Sequence, residues 1–111
     1  MARFHIRIAD LNTAHGTDAQ FAWQGNSPQH LASTIAAVLT DVFFAQHWRA
    51  AQAEPDEVEA GLLAVDSGAT VTTEERAQQV DLVVTTTLPH RVLSHRLNLL
   101  LGPHWTLRDV S

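Results

Sequence analysis

Three stretches of the chain alternate apolar with polar residues, and this period of two limits the possible folds more than any other feature. The stretches cover residues 3–10, 80–88 and 104–110. Alternation over four to eight residues is typical of a β-strand with one buried face. We therefore predict three strands. Their inward residues would be Phe4, Ile6, Ile8, Val80, Leu82, Val84, Trp105 and Leu107.

Two stretches with apolar residues every three or four positions predict helices over 28–52 and 89–101. Ser27 precedes a proline, and a serine at that place accepts a hydrogen bond from the free N–H groups of a first helical turn. Pro55 ends the first helix, and Gly102, itself followed by a proline, ends the second. The apolar stripes are Leu31, Ile35, Leu39, Val42 and Phe43 in the first, and Leu93, Leu97, Leu100 and Leu101 in the second.

The order of these elements predicts an α+β fold. We expect a single antiparallel or mixed sheet of four to five strands with two helices packed on one face, which is the economical packing for such a chain. The arrangement would be ferredoxin-like or a variant that contains a hairpin. The hairpin would use a short strand at Phe21–Trp23. Residues 58–79 leave strands at 62–65 and 71–73 as open alternatives.

The size and composition of the chain indicate one domain over residues 1–111. A chain of 111 residues buries enough surface to form a core without cross-links. It has no cysteine, so disulfides and thiolate sites are excluded. We expect a cytoplasmic protein, because the N-terminus carries no signal-peptide pattern and no apolar run is long enough to span a membrane.

The charge pattern argues against nucleic acid as a partner. The formal net charge is −5, whereas a protein that neutralises phosphates needs an excess of cations. Eight of the twelve acidic residues lie within residues 54–81, and residues 82–111 carry a small positive excess. This layout is that of a solvated acidic loop or of a surface that docks a protein partner.

No motif predicts a metal or a cofactor. The chain has seven histidines, but His90 and His95 are five residues apart on the predicted helix. Ligands three or four apart would share one face, so we expect no metal site. Glycine-rich phosphate-binding loops are absent from the sequence, and we expect no cofactor.

The segment Val65–Thr70 resembles the active-site strip of retroviral-type aspartic proteases, and Leu100-Leu101-Gly102 resembles a later element of that family. The resemblance implies a dimer in which two copies of Asp66 share a proton. The rest of the chain departs from that family, because a long helix precedes the motif and no tyrosine is present. We therefore keep the hydrolase as an alternative, expect Asp66 to lie in an ordinary turn, and assign no catalytic residue.

The open face of the predicted sheet is a candidate binding site. If the apolar residues of the first and last strands point toward the helices, the alternate residues point away from them. In a ferredoxin-like sheet these two strands are neighbours, so the alternate residues would form one Arg/His face for an anionic ligand or an acidic partner. A solvated face without a ligand is the alternative. The candidate residues are His5, Arg7, His104, Thr106 and Arg108.

A second candidate surface lies on the back of the first predicted helix. At 100° per residue, Phe44 and Trp48 fall opposite the apolar stripe. Two aromatic rings are costly to leave in water, so we expect either a second copy of the chain or the segments 21–23 and 58–79 to cover them. We favour the second copy, and thus a homodimer with Phe44 and Trp48 at its interface.

Taken together, these features favour a small non-enzymatic module that acts through protein–protein contacts and associates with itself. The alternatives are a regulatory domain that binds small anions on the Arg/His face, and a hydrolase that uses Asp66.

Overall fold

The centre of the fold is one antiparallel sheet of four strands, in a computed structural model that describes residues 1–77 and 79–111. β1 lies inside the sheet and pairs with β3 on one side and β4 on the other, and β2 lies beyond β3, so the order is β2-β3-β1-β4. The strands are β1 (Ala2–Ile8), β2 (Thr70–Arg76), β3 (Gln79–Thr86) and β4 (Thr106–Val110).

The register of the two inner strands explains where the core lies. Phe4, Ile6 and Ile8 of β1 stand directly opposite Val84, Leu82 and Val80 of β3, and all six side chains are buried. Cross-strand neighbours of this kind share one face of a sheet. The alternation that predicts the strands thus also selects the face that packs against the helices. The α+β class and the antiparallel sheet of four strands are confirmed.

Within residues 1–77 and 79–111 the structure has three α-helices, one more than the sequence predicts. They are α1 (Pro28–Thr40), α2 (Val42–Ala50) and α3 (His90–Leu101). α3 agrees with the predicted helix over 89–101, but the predicted helix over 28–52 is divided. In the described part of the chain, no helix is long and apolar enough to cross a membrane.

The division occurs at Asp41, whose backbone is extended. Its carboxylate accepts a hydrogen bond from the N–H of Phe43 at 2.8 Å and so caps α2. The Thr40 hydroxyl donates to the carbonyl of Ala36. Thr and Asp side chains compete with a continuing helix through such local hydrogen bonds, and apolar periodicity does not reveal this.

Distant residues stabilise the end of α1. Arg96 of α3 donates to the carbonyl of Val38 at 2.8 Å, and the N–H of Asp66 donates to the carbonyl of Leu39 at 2.8 Å. The last carbonyls of a helix have no partner within the helix. The break at Asp41 is therefore stable because the chain supplies these partners from elsewhere.

Two less regular segments complete the core. Phe21 and Trp23 are buried but do not form the strand that a hairpin would require. Trp23 is fixed by its N–H, which donates to the carbonyl of Leu100, and by its indole, which donates to His30. Residues 60–63 form a 3-10 turn and not a strand, whereas the alternative strand at 71–73 is the middle of β2.

We predict that Arg96→Met destabilises the fold by about 3 kcal/mol or more, because it leaves three backbone carbonyls, one buried and two partly buried, without their donor. Urea unfolding followed by circular dichroism measures this change. Arg91→Met on the same helix is the control. Arg91 is exposed and forms an ion pair with Glu59, so its loss should cost less than about 1 kcal/mol. Equal stability of Arg96→Met and the wild type would contradict the role given to Arg96.

Candidate functional site

The face of the sheet turned away from the helices carries mostly polar side chains. Because β1 pairs with both β3 and β4, alternate residues of the three strands meet on this face. It contains a depression of about 370 Å³. The residues around it are His5, Ile6, Arg7, Thr72, Thr73, Glu74, Asp81, Leu82, Val83 and Arg108.

An ion pair lies in this depression. Arg7 and Asp81 are direct cross-strand partners, and Nε of Arg7 donates to Oδ1 of Asp81 at 2.9 Å. Their side chains are 34% and 27% exposed, so both are partly withdrawn from water. The hydrogen bond from Arg7 lowers the pKa of Asp81, and partial burial opposes this effect. The charges of Arg7, Arg76 and Arg108 lower the pKa further.

Arg108 brings a second guanidinium to the depression from the edge strand. The pairing of β1 with β4 shifts between His5 and Ile6, where Asp109 and Leu107 are the partners. Arg108 is the extra residue of this β-bulge, a feature that locally redirects side chains. Among the residues that the structure describes, no hydrogen bond or ion pair involves the exposed Arg108 guanidinium.

The other predicted residues lie close by. The ring of His5 is 3.1 Å from the hydroxyl of Ser111, measured from Nε2 to Oγ. His104 and Thr106 border a second, smaller hollow of about 220 Å³, which Arg7 also borders. The structure therefore brings His5, Arg7 and Arg108 to one depression and places His104 and Thr106 beside it. Arg7 connects the two hollows.

Asp81 is the residue of this face that sequence reasoning missed. It follows Val80 in the alternating pattern of β3, so its side chain had to point away from the core. That parity was available from the sequence, but the pairing of Asp81 with Arg7 depends on the register of β1 against β3. The Arg/His face thus contains its own anion, which the sequence interpretation did not include.

The structure places Phe44 and Trp48 against residues of the same chain. Phe44 packs on the core and meets the ring of Phe21 edge-on, with centroids 5.9 Å apart. Trp48 meets His95 of α3 edge-on at 4.3 Å. The break at Asp41 turns α2, so both rings are half-buried without a second copy. The exposed large apolar residues of α2 are Phe43 and Val42.

The carboxylate of Asp66 accepts three hydrogen bonds from residues of its own chain. Oδ2 accepts hydrogen bonds from the hydroxyl of Thr86 at 2.9 Å and the N–H of Thr87 at 2.8 Å. Oδ1 accepts from the N–H of Gly68 at 3.0 Å. These donors, first among them the N–H of Thr87, lower the pKa of Asp66 below its usual value. The carboxylate therefore fastens the 64–69 loop to the end of β3.

No metal-binding group is found within residues 1–77 and 79–111, where no three His, Asp or Glu side chains are arranged to hold an ion. Comparison of the chain with protein-family models, with curated proteins and with solved structures gives no match.

We predict that Asp66→Asn lowers the stability of the fold near neutral pH, because an amide cannot accept from all three donors. A carboxyl whose pKa is lowered on folding contributes stability above its unfolded pKa, and this contribution is lost as the pH falls through the folded value. The difference between wild type and variant should therefore be constant above about pH 5 and shrink below about pH 4. Urea unfolding at a series of pH values measures it.

Asp56→Asn is the matched control, since Asp56 is exposed in the 55–57 turn and accepts one long hydrogen bond from Arg49. It should leave this pH dependence unchanged. A pH-independent difference for Asp66→Asn would contradict the role of the carboxylate charge.

Proposed function

We propose that this chain is a small non-enzymatic binding module that acts through protein–protein contacts and associates with itself. The observation that carries the proposal is the exposure of Phe43, which stands at the start of α2 and is 73% exposed, beside Val42 at 44%. A phenylalanine is a strong anchor when a partner buries it.

The exposed side of α2 has the spacing of a helix–helix contact. Four exposed residues recur at positions i, i+3, i+4 and i+7, which is one face of a helix. The ring of His47 stacks on Phe43 with an interplanar angle of 5°. We name this face the α2 stripe. It consists of Phe43, Gln46, His47 and Ala50.

A second copy of the chain is the partner that this stripe fits best. Its large residue, Phe43, lies at one end, and its small residue, Ala50, lies at the other. Two antiparallel copies related by a two-fold axis near Gln46 would place each Phe43 against the Ala50 of the other. Isologous contacts need such self-complementarity.

Phe43 replaces Phe44 and Trp48 as the proposed anchor. Phe21 and His95 already contact those two rings, so Phe44 and Trp48 have less surface to offer a partner. Phe44 and Trp48 support the proposed contact indirectly, because they hold α2 against the rest of the chain.

The hydrogen bonds that Asp66 accepts within its own chain support a structural role for that residue. For the fold itself, we propose a ferredoxin-like arrangement in which the first helix is divided. The order of the strands along the chain and across the sheet supports this assignment.

We predict that Phe43→Glu weakens self-association by about a hundredfold or more, because each dimer would lose two buried phenyl rings and gain two charges. Sedimentation equilibrium at concentrations up to about 1 mM measures the dissociation constant. The variant should remain folded, since Phe43 contributes little to the core.

Val110→Glu is the matched control. Val110 is also an exposed apolar residue, at 47%, but it lies on the edge strand β4. The same change of charge there should leave association unaltered. The proposal fails if the wild type is monomeric throughout this concentration range, or if both variants dissociate equally.

A further inference from the structure

The ion pair on the open face of the sheet uses only part of its hydrogen-bonding capacity. Within residues 1–77 and 79–111, one hydrogen bond joins the pair, from Nε of Arg7 to Oδ1 of Asp81. Among the residues described, no group accepts from either Nη of Arg7 or donates to Oδ2 of Asp81. The depression therefore presents free N–H donors next to a free carboxylate oxygen.

A second guanidinium gives the depression a positive excess. Arg108 borders it without an ion-pair partner in the described chain, and Glu74 is paired with Arg76. Arg7 and Arg108 together thus outweigh Asp81 by one charge. Two guanidinium groups at one hollow suit a carboxylate, which accepts hydrogen bonds through both of its oxygens.

Asp81 limits which carboxylate fits. A simple carboxylate would leave Oδ2 of Asp81 without a donor, whereas a ligand that also carries an N–H group donates to this oxygen. We propose that this depression binds a carboxylate that has an N–H donor on its α-carbon, with the carboxylate toward Arg7 and Arg108 and the N–H toward Asp81. Both the C-terminus of a peptide and a free α-amino acid have this chemistry.

The volume and surroundings of the depression agree with such a ligand. At about 370 Å³ it lies within the range of small-molecule sites. Val83 and Thr72 flank the ion pair and provide contacts for the rest of the ligand. The site lies on the side of the sheet away from the helices, so it does not depend on self-association through the α2 stripe.

Nuclear magnetic resonance titration tests the proposal. Three probes are added to the full chain: N-acetyl-L-alanine as a model of a peptide C-terminus, L-alanine as a free amino acid, and propionate as a carboxylate without the N–H. The side-chain Nε–Hε signals of Arg7 and Arg108 report binding. We expect at least one of the N–H probes to bind about tenfold more tightly than propionate, the effect of one charge-assisted hydrogen bond.

The two N–H probes distinguish the sources. Stronger binding of N-acetyl-L-alanine assigns the site to a peptide C-terminus, and stronger binding of L-alanine assigns it to a free amino acid. Either result supports the proposal.

Three variants locate the contacts. Arg108→Gln should weaken every probe about tenfold, because it removes one guanidinium. Asp81→Ala should remove the preference for the N–H probes and strengthen propionate, since Arg7 loses its internal anion. Arg3→Gln is the control, because Arg3 is exposed on β1 but does not border the depression, and this variant should behave as the wild type.

The proposal is overturned if propionate binds as tightly as both N–H probes, if no probe moves the Arg7 and Arg108 signals, or if Arg3→Gln weakens binding as much as Arg108→Gln. Arg108 is exposed, so the Arg108→Gln variant and the comparison of the three probes on the wild type test the proposal even if Asp81→Ala does not fold.

Discussion

The helical layer depends on the hydrogen bonds that the side chain of Arg96 donates. This side chain is 1% exposed and donates to three backbone carbonyls, those of Val38, Leu62 and Ala64. Withdrawing a guanidinium from water is costly unless its N–H groups find acceptors. Here the acceptors include the end of α1, where the helix dipole favours a positive charge. One residue of α3 thereby fixes where α1 stops and how the 62–64 segment runs.

Asp66 connects the end of α1 to the sheet. Its N–H holds the end of α1, and its carboxylate holds Thr86 and Thr87 where β3 ends. The 62–69 segment is thus fixed by polar contacts at both ends, to Arg96 at 62–64 and to the end of β3 through Asp66. The resemblance of this loop to a protease motif follows from the same residue types, since Asp, Ser and Gly also suit a tight turn.

The break between α1 and α2 also determines which surfaces remain for binding. A continuous helix would have left Phe44 and Trp48 on its outer side, whereas the change of direction at Asp41 turns them toward Phe21 and His95. Phe43 is exposed as a result. The proposed contact surface on α2 is therefore a consequence of the cap at Asp41. The opposite side of the sheet is polar and charged, so the two proposed sites differ in chemistry as well as in position.

The sequence alone predicts the strands at 3–10, 80–88 and 104–110, the helix at 89–101, and the side of the sheet on which Arg7 lies. These follow from local periodicity, because alternation and helical spacing state which face of an element is buried. Three features follow only from tertiary contacts: α1 ends at Thr40, Asp81 accepts from Arg7, and Phe44 and Trp48 contact Phe21 and His95. Each of these rests on a contact between residues far apart in the chain, such as Arg96 with Val38. Local preferences carry no information about such contacts, which exist only once register and packing bring the partners together.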